Sequence, residues 1–268
     1  MISPGYLPQP DIFLKEERDC GTLWYLVREH ISGGADAMDN LMDIHAILQQ
    51  YLAQRFTLEP VTLKHPLPER PLRTLGLMKI NGEVFSTEKL MRIVFLRPEL
   101  PVYFAVRSMF IRPRIELDLP VFAGEVMKTG KKKMVIVDIH RTGKTHHDDS
   151  KLFKEMLAIR NSYGELNAFA IQQKGEIQEV FSEAACQVKI PDGLDDQAIR
   201  IFKNYLNLYC DMVEQATPVS GEEREKTQRV FEDYLATLVE HDPGVGVWKM
   251  LFGKKGGVER SMDMHFGR

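Results

Sequence analysis

Leu119-Pro120-Val121-Phe122-Ala123-Gly124-Glu125-Val126-Met127, then Thr129-Gly130, then Met134-Val135-Ile136-Val137-Asp138-Ile139-His140: this stretch decides the fold class. Both apolar runs are short, rich in β-branched and aromatic residues, and separated by a glycine turn, so they predict two antiparallel strands, 119–127 and 134–140. Upstream, Val102–Ile111, Val84–Leu96 and Arg73–Ile80 read the same way, punctuated by Pro98, Pro101 and Pro113. Asn81-Gly82 supplies a two-residue hairpin signal between the first two. Five consecutive strands with short connections imply an antiparallel sheet.

Helical patterns flank the strands. Ala35 to Phe56 carries Met38, Leu41, Met42, Leu48, Tyr51 and Leu52 at helical spacing, with His45 in the one polar position, read as a core-edge histidine. Pro60, Pro66, Pro68 and Pro71 then exclude a regular helix. In the last third, Ala198, Phe202, Tyr205, Tyr209, Met212 and Val213 form one stripe, and Val230, Phe231, Tyr234, Leu235 and Leu238 another. Ser220-x-x-Glu223 reads as a capping box for the second. The class is α+β, most simply a central sheet covered on both faces. One domain over 1–268 is expected, with an N-terminal extension at 1–35, the sheet at 70–141 and C-terminal helices at 193–268.

Composition excludes several functions. The chain of 268 residues is 44% hydrophobic and 27% charged with net charge −3, which gives no reason to expect nucleic acid or an anionic membrane as partner. Cys20, Cys186 and Cys210 are odd in number and far apart, pointing to a reducing compartment without a disulfide frame or an iron–sulfur cluster. No apolar run approaches the ~20 residues of a membrane helix, and Met1-Ile2-Ser3-Pro4-Gly5 does not open an export signal. A cytoplasmic monomer is the expectation. Dinucleotide, Walker and nucleophile-elbow spacings are missing. Phe252-Gly253-Lys254-Lys255-Gly256-Gly257 reads as a helix end with a basic loop. His146-His147-Asp148-Asp149 reads as a loop in which Asp149 caps the next helix, and no metal site is expected.

Chemistry concentrates near the end of the chain. Tyr234 is followed by His241-Asp242-Pro243-Gly244-Val245-Gly246-Val247-Trp248, a polar loop between two apolar helices. An acid held there is buried, burial raises its pKa, and it becomes a proton donor near neutral pH. Taken from residue type alone, Glu125 is a strand residue and Asp242 a turn former or N-cap.

Several segments together resemble the ferredoxin-dependent bilin reductases, most closely those that make phycocyanobilin. They are 119–125, Val135–Asp138, Glu179-Val180-Phe181-Ser182-Glu183, Tyr205–Tyr209 and Tyr234 through Gly253. The resemblance covers roughly 70–268. It implies a three-layer α/β/α sandwich with a six-stranded antiparallel sheet, and a biliverdin-like tetrapyrrole between sheet and C-terminal helices. It also implies no bound flavin or metal, and reduced ferredoxin as the one-electron donor. Glu125 aligns with the family's central acid and Asp242 with its second acid. His241 falls on a polar position often occupied by Asn, and Tyr234 and Val247 on pocket positions. A glutamate and a histidine of the blue-bilin enzymes fall near Arg92–Ile93 and Val106–Arg107, where this chain has neither, so Arg107 is the candidate propionate or anion ligand. Pro243 replaces the basic residue after the second acid, which leaves Lys133 and Lys174 as further propionate candidates. Lys128 and Lys131–Lys133 form a basic run expected to meet an acidic partner, ferredoxin. The alternative expectation is a protein that binds or delivers bilin or haem without reducing it.

Overall fold

The computed structural model describes residues 40–140, 142, 150–171 and 175–268, which fall in one unit, Ala37–Arg268. Lys174, the 146–149 cluster and the segment before Asn40 lie outside the described residues. Seven strands form one antiparallel sheet in chain order: β1 Glu59–Pro60, β2 Lys79–Ser86, β3 Leu90–Leu100, β4 Phe104–Pro113, β5 Phe122–Thr129, β6 Lys132–Ile139 and β7 Cys186–Ile190. The helices are α1 Ile44–Arg55, α2 Lys151–Asn161, α3 Gly164–Asn167, α4 Asp195–Gln215, α5 Glu222–His241, α6 Pro243–Phe252 and α7 Lys254–Phe266.

Strand alternation splits the core in two. Ile93 and Phe95, Met109 and Ile111, Phe122 and Val126, and Val135 and Val137 point to one face, where α1, α2 and α4 cover them. Val94 and Leu96, Phe110 and Ala123 point to the other, against α5, α6 and α7. This is the three-layer arrangement expected. Gly124 makes the first layer possible: a Cβ there would sit 2.0 Å from Phe202 Cζ, so the missing side chain lets α4 lie flat on β5. Phe202 then packs edge-on against Phe122 at 5.9 Å, and the Tyr209 hydroxyl donates to the Pro120 carbonyl at 3.0 Å.

Five local expectations change. Asn81-Gly82 is not a turn but the middle of β2, paired with Arg97 and Leu96; the chain reverses at Thr87–Lys89. Gly82 serves packing, since a Cβ there would meet Met264 Cε of α7 at 2.6 Å. Residues Leu72–Thr74 form a 3-10 turn, and the strand starts at Lys79. The sheet extends past 70–141, because β1 precedes it and β7 joins after α3, giving seven strands instead of six. The capping box does not form: Gly221, at φ 59°, is the N-cap of α5 with no side-chain bond. Gly253, at φ 82°, separates α6 from α7, so Lys254–Gly257 opens a helix where a loop was expected.

Candidate active site

Register places Glu125 of β5 opposite Ser108 of β4 and Ile136 of β6. Continuing outward, Leu96 of β3 and Gln187 of β7 complete the row. Alternation turns this row toward α5–α7. Glu125 is half-buried, with protein around its carboxyl. Burial pushes its pKa up to about 7, and the charge of Asp242 adds to the shift.

Asp242 ends α5 and caps α6. Its side chain accepts from the Gly244 amide at 2.8 Å, with Pro243 pre-set for the first helical turn. Burial raises its pKa; the Gly244 bond and Lys249 oppose that. The two carboxyls are thus coupled, each raised by burial and Glu125 further by the charge of Asp242. Two carboxyls 117 residues apart in the chain thus feel each other on one face of the sheet.

Tyr234 of α5 lies in the same layer. Its hydroxyl meets His140 Nδ1 at 2.8 Å, and its ring packs on Phe231 and Phe266. Burial and the charges of Asp242 and Asp138 push its pKa well up, so it stays a neutral hydrogen-bonding group. Asp138 is sealed beneath, accepting from the Ser182 amide at 2.7 Å and hydroxyl at 2.6 Å, which joins two of the segments singled out in the sequence.

The remaining sequence candidates do not converge with these. Arg107 pairs with Val126, so it points to the α1 face. There its Nε donates to the Met42 carbonyl at 2.9 Å, and its guanidinium meets Glu99 at 2.5 Å. Lys133 also points to that face, held at 2.8 Å by Asp195 and 3.3 Å by Asp192 at the start of α4. Neither is available to a ligand under the C-terminal helices, because a one-residue step in a strand reverses the side chain. His241 turns to Glu176, 2.7 Å from its carboxylate. Val247 is 36% exposed on α6 and is not core.

The positions beside Glu125 on the two preceding strands are Ser108 and Leu96, not Arg107 and Arg92–Ile93. Sequence reasoning missed Ser108, His140 and His265. A period-two count back from Glu125 through the paired strands finds Ser108; the two histidines depend on helix placement. Cys186 and Cys210 are buried and free, with thiols pushed up to about 12 by burial, and take no part. Among the described residues, no group of three or more His, Cys, Asp or Glu is placed to hold a metal, and no helix is long and apolar enough to cross a membrane.

This antiparallel sheet thus presents two coupled acids on the face covered by its C-terminal helices. The chain belongs to the ferredoxin-dependent bilin reductase family, whose profile matches residues 45–258. Its relatives include the phycoerythrobilin:ferredoxin oxidoreductase of Nostoc punctiforme, 26% identical over 76% of this chain and 83% of that one. The protein of the same name from Parasynechococcus marenigrum is 25% identical over 63% of this chain and 68% of its own. Tomato phytochromobilin synthase, solved in complex with biliverdin, superposes with a TM-score of 0.68 at 19% identity, over 83% of this chain and 80% of that one, and so shares the fold.

Proposed function

We propose that the chain reduces biliverdin, or a closely related linear tetrapyrrole, with single electrons from reduced ferredoxin and protons from Glu125 and Asp242. The observation that carries this reading is the pair itself: a half-buried carboxylic acid with a pKa near 7, coupled to a second acid across the layer. Each two-electron step takes two electrons and two protons. An added electron makes the conjugated system more basic, and the nearest acid then decides which atom is protonated. With a pKa near 7, Glu125 carries its proton in about half of the molecules at neutral pH. Asp242, at the helix junction, supplies the second and connects the site to solvent. The relatives named phycoerythrobilin:ferredoxin oxidoreductases favour a product other than phycocyanobilin. So does the lack of a glutamate and a histidine near Arg92–Ile93 and Val106–Arg107. Lys131 and Lys132, exposed on the β5–β6 turn, are the docking residues for acidic ferredoxin.

Anaerobic incubation with biliverdin, ferredoxin and a ferredoxin-reducing system tests the reading, with products separated by chromatography. A reduced bilin supports it. A second reading, tetrapyrrole binding without reduction, is favoured by Ser108 and Leu96, neither an acid nor an imidazole, standing beside Glu125 in the sheet. It predicts a spectral shift on binding and recovery of unchanged biliverdin.

A further inference from the structure

His265 lies near the end of α7, between the sheet and α6. Its ring stands edge-on to Phe110 at 5.3 Å and to Trp248 at 6.1 Å. Phe110 pairs with Ala123, two residues before Glu125 on β5. One strand across and two residues along puts the Phe110 backbone about 8 Å from that of Glu125. Trp248 is six residues into the helix that Asp242 caps, about 9 Å along its axis. The imidazole therefore occupies the same layer as both acids.

The tautomer follows from its bonding. Nδ1 lies 3.0 Å from the Ser261 carbonyl, which only accepts, so Nδ1 carries the hydrogen and Nε2 the lone pair. Nε2 has no partner among the described residues, and it is not one of the sealed polar atoms. An acceptor without a protein partner among the described residues thus lies in a layer otherwise walled by aromatic rings. Burial lowers the pKa of the ring to about 4, so it stays neutral and keeps that lone pair at physiological pH.

We propose that His265 Nε2 is a ligand-positioning group, accepting a hydrogen bond from a pyrrole or lactam N–H of the bound tetrapyrrole. The inference rests on the bilin reading above and adds a residue to it. Glu125 and Asp242 hold protons to give, whereas a linear tetrapyrrole also presents N–H donors that need an acceptor when they leave water. A neutral imidazole meets that need without the charge repulsion or proton loss a carboxylate would bring.

The test is a biliverdin titration followed by absorbance, with wild type, His265→Leu and His265→Gln, together with the Nε2 resonance in 15N-labelled protein. His265→Leu should weaken binding about tenfold, the effect of one hydrogen bond, and raise KM more than it lowers kcat. His265→Gln, whose amide oxygen still accepts, should recover most of the affinity, and the Nε2 resonance should shift on adding biliverdin. If Leu does not fold, the resonance shift and the Gln variant still decide the matter. Wild type with no affinity for biliverdin overturns the bilin reading and this inference with it. Wild type that binds with an unmoved Nε2 resonance, and variants that bind equally well, overturns this inference alone.

Discussion

Glu125 concentrates the chemistry in one titration. A carboxyl with its pKa near 7 is mostly protonated below neutral pH and mostly ionised above it. Bilin reduction should accordingly fall as pH rises through about 7. Glu125→Gln should remove that dependence and cost at least ~100-fold in rate, the range of a lost general acid. Stability runs the same way. The folded pKa lies above the ordinary carboxyl value of 4.5, so the folded state binds the proton more tightly, and stability is lost as pH rises from about 4.5 through 7. Glu125→Gln should therefore be more stable than wild type at pH 8, by roughly 2–3 kcal/mol in chemical denaturation. A variant less stable than wild type at that pH would mean that the carboxylate is satisfied by bonds to its ionised form.

Among the elements, β5 and α1 carry the clearest tests. Gly124→Ala forces a methyl into the Phe202 ring and should cost about 1–3 kcal/mol, with Phe202→Leu relieving part of it when combined. Helix α1 buries His45 against Phe95, with its pKa lowered to about 3, first by burial and then by Arg97 and Arg107. A neutral buried histidine adds stability above the unfolded pKa of 6.5 that drains away as pH falls toward 3. Roughly 2 kcal/mol should be gone by pH 5, and His45→Phe should flatten that slope in thermal melts between pH 5 and 8.

These elements also mark how far the sequence could be read. The strands containing 104–139 were legible because apolar runs and glycine turns state their period locally. Asn81-Gly82 was misleading because a glycine kept small for Met264 looks the same in sequence as one kept for a turn. Arg107 was placed in the site because alignment to a strand is good only to a residue or so, and one residue reverses the face. Glu125 and Asp242 were singled out by the company they keep, and the fold couples them on one face of the sheet. His265 was not, because nothing local tells a helical histidine that its ring will cross Phe110.

At the scale of the molecule, the sheet separates two jobs. One face, with α1, α2 and α4, is sealed by apolar packing and by ion pairs that absorb Arg107 and Lys133. The other keeps partly accessible polar groups under α5–α7, namely Glu125, Asp242 and His265. The docking surface proposed for the electron donor is separate: Lys131 and Lys132 are exposed on the β5–β6 turn. Reversing both charges should raise the apparent KM for ferredoxin and weaken its salt dependence, while biliverdin affinity stays unchanged in a titration. An unchanged KM would put docking elsewhere.

The central claim is that electrons come from outside and the decisive proton comes from Glu125. A single-turnover experiment with biliverdin and reduced ferredoxin, followed anaerobically by absorbance and electron paramagnetic resonance, separates the two. Wild type should pass through a transient bilin radical to a reduced product, whereas Glu125→Gln should accept the electron and hold the radical unprotonated. Product formation by Glu125→Gln at the wild-type rate would contradict the account.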